Sequence, residues 1–239
     1  MAINLIPENV HSSWTSFLDE KRQKQLQEIA AALGTNFDPA PEQVLRFMTT
    51  DLQKLQVVIL GQDPYPQAGI ATGRAFEVGG LTSWTDKFPQ ASLKNIVRLL
   101  YSSYQNIREY AAIPKFKEIR RQIEQGEWHI LPPHKLFESW EQQGVLLLNT
   151  CLTVSGKPGG HAHLWADFSR ELIRFISEQR PDLYWFLWGK QAQAMQPYVI
   201  NGNLHCSRHP MLSSPRYADD FLRSDCFRST QQLVNWLGV

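Results

Sequence analysis

Cysteine is scarce in this chain. Cys151, Cys206 and Cys226 are the only three in 239 residues, and no two form a C-x-x-C pair. An odd, scattered set builds no disulfide framework and points to a reducing compartment. Long apolar runs are lacking too: none approaches the roughly 20 residues of a membrane-crossing helix, so no membrane association is expected. The opening MAINLIPENVHSSW has neither a charged n-region nor an apolar h-region. It reads as no secretion signal, and a cytoplasmic protein is expected. Charge of either sign hardly prevails, the net being +1. Contact with nucleic acid would therefore depend on a local basic patch. There is no internal repeat, no low-complexity tract and no G-x-S-x-G turn, which counts against a small-molecule α/β hydrolase. His205, Cys206 and His209 come nearest to a metal set. At most two can share one strand face and no fourth ligand is evident, so neither metal nor cofactor is expected.

What is present suits one core. The hydrophobic fraction is 43%, and the length fits a single domain over 1–239. The most informative stretch is VVILGQDPYP at 57–66. A β-branched run ends in Gly61, then Gln62 and Asp63 follow, and Pro64 and Pro66 flank Tyr65. Such a run reads as a buried parallel strand. The prolines bias Asp63 and Tyr65 away from helical backbone, making a stiff turn. Three more runs end in polar groups: GVLLLN at 144–149, YWFLWG at 184–189, and the weaker NLHCSRH at 203–209. As parallel strands they would bring Asp63, Asn149, Gly189 and His209 to one carboxyl edge, where open α/β sheets bind ligands. An acid, an amide and an imidazole there suit polar bond cleavage.

Helical patterns fall between the strands. The spacing predicts helices over 12–33 (capped by Ser12 or Ser13 and ended by Gly34), 92–104, 114–125, 166–179 and 226–237. Helices alternating with strands predict a three-layer α/β/α fold around a mostly parallel four-stranded sheet. Loops at 67–91 and 155–164 are long, as functional loops often are. Trp128, Trp140, Trp185 and Trp236 are expected to fill core or groove. Arg120 and Arg121 read as a solvated helix face. Lys157, Lys190, Arg208 and Arg216 lie in loops near the proposed site and are better contacts for DNA.

These blocks resemble the family 1 uracil-DNA glycosylases. GQDPY at 61–65 looks like that family's water-activating loop, and GVLLLNTCLTV at 144–154 like its uracil-reading strand, preceded by HKLFESWEQQ at 134–143. FLWGKQAQ at 186–193 resembles its Gly-Ser loop, and His209-Pro210 begins its DNA-penetrating segment. The resemblance runs from about residue 45 to the C-terminus. It implies that Asp63 orients or activates water and that His209 hydrogen-bonds the uracil O2. It implies that Tyr65 excludes the thymine methyl, Phe76 stacks on the base, Asn149 reads the uracil edge and Gln62 contacts the flipped nucleotide. Ser92 and the Gly189 N–H would meet phosphate, His161 would lie near the acid, and Lys190, Pro210, Met211, Leu212 and Arg216 would touch DNA. The implied partner is uracil-containing DNA, single- or double-stranded, acted on by a monomer; a proteinaceous inhibitor that mimics DNA is a further one. The three cysteines argue against related glycosylases that carry a four-cysteine iron–sulfur cluster.

The chain departs from the family pattern at several places. Pro66 and Gln67 follow the DPY, Lys190 stands where the family has serine, and Met211-Leu212-Ser213 replaces the usual wedge sequence. Residues 107–129 read as an insertion. Two other readings of the sequence stay open. One is a catalytically weak DNA-binding or processivity module on the same fold, and the other a glycosylase for another damaged base.

Overall fold

The computed structural model describes residues 3–239. Four strands, β1 (Val57–Gly61), β2 (Val145–Asn149), β3 (Tyr184–Trp188) and β4 (Asn203–Ser207), form one sheet in the order β2-β1-β3-β4. All three pairings are parallel. The helices are α1 (Glu20–Leu33), α2 (Pro41–Val44), α3 (Ala91–Tyr104), α4 (Phe116–Glu124), α5 (Pro133–Gln142), α6 (Ala162–Gln179), α7 (Lys190–Gln193) and α8 (Cys226–Ser229).

Side chains alternate across a strand, and the two faces of this sheet enter separate apolar layers. Val57, Ile59, Val145, Leu147, Phe186 and Trp188 pack with residues of α3, α4 and α5. Val58, Leu60, Leu146, Leu148, Trp185 and Leu187 pack with α1 and α6. This is the expected three-layer α/β/α arrangement, with the sheet parallel throughout. Every residue of β1 and β2 is buried, which is why both read as continuous apolar runs. β4 is an edge strand with most of its residues exposed, and its sequence signal is correspondingly weak.

Three helix expectations are corrected. The pattern over 12–33 is two pieces, a single turn at Ser12–Trp14 and then α1. Trp14 turns inward to bond Thr50 O through Nε1 at 2.8 Å, and the Ser13 hydroxyl accepts the Leu52 N–H at 3.0 Å. The chain therefore restarts at Asp19, whose Oδ1 caps α1 by accepting the Arg22 N–H at 2.9 Å. The pattern at 166–179 begins earlier, at Ala162. The C-terminal pattern over 226–237 is helical only to Ser229. Thr230 Oγ1 donates back to Cys226 O at 2.7 Å and accepts from Trp236 Nε1 at 3.0 Å. Burying Trp236, whose carbonyl accepts from Trp140 Nε1 at 3.0 Å, favours a folded-back end over a helix.

Candidate active site

Register fixes the site. Gly61 of β1 lies opposite Asn149 of β2, and Trp188 of β3 opposite Ser207 of β4. The strands stop level with one another, so Asp63, Gly189 and His209 emerge from the same edge within two residues of a strand end.

Gly61 is required by Asn149. A Cβ at Gly61 would fall 2.2 Å from Asn149 Oδ1, so the amide lies directly over the glycine. Asn149 is buried. The turn after β1 is tied to the turn after β2. Thr150 N–H donates to Gly61 O at 3.0 Å and Cys151 N–H to Gln62 O at 2.9 Å. This leaves Asp63 half-buried, one oxygen accepting the Gly159 N–H at 3.1 Å. Burial and then the neighbouring Asp63 carboxylate push the Cys151 thiol up to about 12, so it stands beside Asp63 as a neutral group.

His209 is held from two sides. Gly189, at φ +91°, is needed because a Cβ there would lie 2.8 Å from His209 Cβ. The Met211 N–H donates to His209 Nδ1 at 3.1 Å. With Nδ1 accepting, a neutral ring carries its proton on Nε2. Burial lowers the His209 pKa, which favours that neutral ring. Phe76 stands next to it, ring centroids 6.0 Å apart, and 5.4 Å from Trp188. Phe76 has φ +66°, rare for a bulky side chain. Tyr65 is half-buried, and its hydroxyl has no hydrogen-bond partner among the described residues. Burial raises its pKa far above the ordinary phenol value.

A cleft of about 400 Å³ opens between Gln62 and the turn after His209. Lys190, Met211 and Leu212 line it along with Gly189 and His209, whereas Asp63, Tyr65, Phe76 and Asn149 sit outside its wall. Pro210 is buried beneath the turn; Met211 and Leu212 are 55% and 62% exposed. Ser92 is buried in the first turn of α3, and Arg216 is exposed further along the loop. The Gly189 N–H, implied as a phosphate contact, donates to Ser207 O at 2.8 Å within the sheet. His161 bonds Thr153 Oγ1 through Nδ1 at 3.0 Å, while Asp63 receives the Gly159 N–H instead. A larger cavity, about 750 Å³, lies between α1 and α6 and contains none of the strand-end groups. Among the described residues, no cluster of three His, Cys, Asp or Glu could hold a metal, and no helix is long and apolar enough to cross a membrane.

Sequence reasoning missed the groups that brace these side chains. Asn95 Nδ2 donates to Pro210 O at 2.6 Å. Asp220, 1% exposed, accepts from Ser214 N–H at 2.6 Å and Leu222 N–H at 2.9 Å. Arg74 joins Glu77 (3.1 Å) and Glu141 (2.5 Å) next to Phe76. Asn95 had a signal, since it lies three residues after Ser92 on one helix face; Asp220 and Arg74 had none.

The family model for the uracil DNA glycosylase superfamily matches residues 47–231. The uracil-DNA glycosylase of varicella-zoster virus (strain Dumas) is 41% identical over 144 residues, which are 59% of this chain and 38% of that protein. That of Idiomarina loihiensis is 31% identical over 239 residues, 94% of this chain and 96% of that protein. A solved structure of a mimivirus UNG variant in complex with UGI aligns with a TM-score of 0.63 at 25% identity, covering 86% of this chain and 71% of that one.

Proposed function

The chain belongs to the uracil DNA glycosylase superfamily, and on that premise we propose that it is a family 1 enzyme using Asp63, Asn149 and His209 to excise uracil. It is a monofunctional glycosylase of base excision repair: it hydrolyses the N-glycosidic bond of uracil in DNA and leaves an abasic site. The observation that carries the site assignment is the register-matched convergence of a carboxylate, a side-chain amide and an imidazole at one sheet edge.

A base inside the stack is out of reach, so the nucleotide is flipped, at a few kcal/mol of unstacking. Uracil offers an acceptor at O4 and a donor at N3, which the NH₂ and carbonyl of Asn149 match. Cytosine reverses that pattern and leaves buried groups unpaired, costing about 1–3 kcal/mol each. Thymine adds only a methyl, which must be met by a wall. Tyr65 supplies it: its ring sits on a proline-stiffened turn. Phe76 stacks on the base from beside His209. As the bond breaks, positive charge grows on the sugar and negative charge on uracil, as in glycoside hydrolysis. The free oxygen of Asp63 faces the cation and orients water. His209 Nε2–H donates to the O2 anion, an electrostatic role that needs no proton transfer.

Gln62 and Lys190 on the cleft wall, with Ser92, His161 and Arg216, are the groups we assign to the DNA strand. The chain acts as one domain and a monomer in a reducing, intracellular compartment, in keeping with its free thiols. A proteinaceous inhibitor that mimics DNA would occupy the same cleft; that a mimivirus UNG variant was solved in complex with UGI supports a protein partner of this kind, not its place. The test is release of free uracil from a uracil-containing oligonucleotide, with a matched thymine oligonucleotide as control. Release of neither base, or of both equally, would reject the assignment.

A further inference from the structure

Residues 107–129 are not used by the reaction above, yet they shape a second groove beside α3. Its volume is about 350 Å³, and it runs between the segment before α3 and helix α4. The floor is apolar: Phe88 and Phe116 meet edge to face at 5.4 Å. The walls carry Lys87, Lys94, Lys117 and Arg120 against one carboxylate, Asp86. Asp86 is engaged by its own turn, accepting the Ser83 N–H at 3.0 Å. Arg120 pairs with Glu124 at 3.7 Å. Lys87, Lys94 and Lys117 have no ion-pair partner among the described residues, and Lys94 Nζ lies over the Phe88 ring at 5.1 Å. In a chain with a net charge of +1, three unpaired lysines around one groove are a local concentration of positive charge.

Hydrogen bonds tie this groove to the candidate site. Arg98 Nε donates to Pro114 O at 2.8 Å, just before α4, and its guanidinium also donates to Asn95 Oδ1 at 2.9 Å. Asn95 in turn holds Pro210 O. The turn bearing Met211 and Leu212 and the stretch bearing α4 thus hang from one face of α3. Lys94 lies two residues after Ser92 on that helix.

We propose that this groove is a second phosphate-binding surface, which takes the sugar–phosphate backbone of duplex DNA flanking the flipped nucleotide. The proposal rests on the DNA reading above. Its lysines are point charges on flexible stems over an apolar floor, suited to a backbone and carrying no base readout.

The test compares the wild type with Lys87→Gln/Lys94→Gln/Lys117→Gln in binding to a duplex of about 30 base pairs across a salt series. Removing one lysine–phosphate pair lowers the slope of log K against log[salt] by about 0.9, so a drop of about 2 to 3 is expected. A charge-matched control, Lys24→Gln/Lys54→Gln/Lys135→Gln, should leave the slope where it is. An unchanged slope in the first triple, or an equal drop in the control, overturns the proposal. So does a loss of kcat/KM on a five-nucleotide uracil strand as large as on the duplex. If the first triple melts earlier than wild type, Lys117→Glu alone on exposed α4 decides: weaker duplex binding supports the groove and unaltered binding rejects it. The two readings separate cleanly. A wild type that binds duplex with the lysine-dependent slope but releases no uracil rejects the glycosylase assignment alone. A wild type that releases uracil with a slope indifferent to these lysines rejects the groove alone.

Discussion

Asp63 is the one carboxylate among the strand-end groups, and the Gly159 N–H occupies only one of its oxygens. An asparagine in its place would keep the shape and lose the charge. Asp63→Asn should lower single-turnover uracil release by at least about a hundredfold, ~2.7 kcal/mol of barrier, with DNA binding retained; a loss below about tenfold would remove Asp63 from the mechanism. His209 makes a separate prediction through pH. Burial lowers its pKa and Nδ1 already accepts a bond, so protonation both adds charge and breaks that bond. The ring stays neutral through the ordinary histidine value of about 6.5. kcat/KM should therefore hold from pH 8 down past about 6.5 and fall only below it, and His209→Gln should lose that acid limb. A wild-type rate already falling between pH 8 and 7 would mean that the ring must titrate to work. Stability follows the same sign. The unfolded chain takes up this proton first, so the contribution of His209 is full above the unfolded pKa and is lost as pH falls through it toward the lowered folded value.

At the scale of elements, the question is what keeps Phe76 in a left-handed backbone, a conformation costing of order 1–3 kcal/mol. Ala75 N–H is bound to Leu147 O at 3.1 Å, which fixes the chain against β2. Arg74 is locked between Glu77, which is 6% exposed, and Glu141 of α5, and Arg46 adds a bond to Thr72 O at 3.2 Å. Arg74→Met would strand Glu77 as a buried unpaired charge. It should destabilise the protein by about 3–5 kcal/mol in urea unfolding, and it should raise KM for uracil-containing DNA in whatever fraction stays folded. A loss under about 1 kcal/mol, the size of an exposed pair, would show that the clamp is not what holds this segment. None of this clamp was legible in the sequence, because its four partners come from three separate stretches and only Arg74 and Glu77 share a local spacing. The strands were legible for the opposite reason. β1 and β2 are buried on both faces, so burial wrote itself as unbroken apolar runs. Helix ends were less so: Trp14 and Trp236 have apolar positions that fit a helix, yet tertiary burial of the indoles set where the helices stop.

At the scale of the whole molecule, the sheet's carboxyl edge forms a rim, and one part of that rim is apolar. Leu212 and Met211 are exposed above the cleft. An exposed leucine needs no explanation when single and mobile, but this turn is pinned at both ends, by Asn95 on Pro210 O and by Asp220 on the Ser214 N–H. Arg208, just before the turn, is stacked over Tyr217 at 3.5 Å and bonded to Asp219 at 2.9 Å, bracing the loop against the body. Flipping leaves a hole in a duplex, and proteins that distort DNA commonly fill such a hole with an apolar side chain. Two candidates stand on the turn, and leucine loses less rotamer entropy than methionine on being fixed in the stack. Leu212 is also the more exposed of the two. Leu212→Ala should therefore reduce uracil excision from double-stranded DNA at least about tenfold, ~1.4 kcal/mol, and reduce it far less from single strands, where no hole needs filling. Met211→Ala should show the weaker version of that contrast. Measuring both variants on both substrates settles the matter: equal losses on single and double strands for each would mean that the turn carries no wedge and that strand separation is driven from elsewhere on the rim.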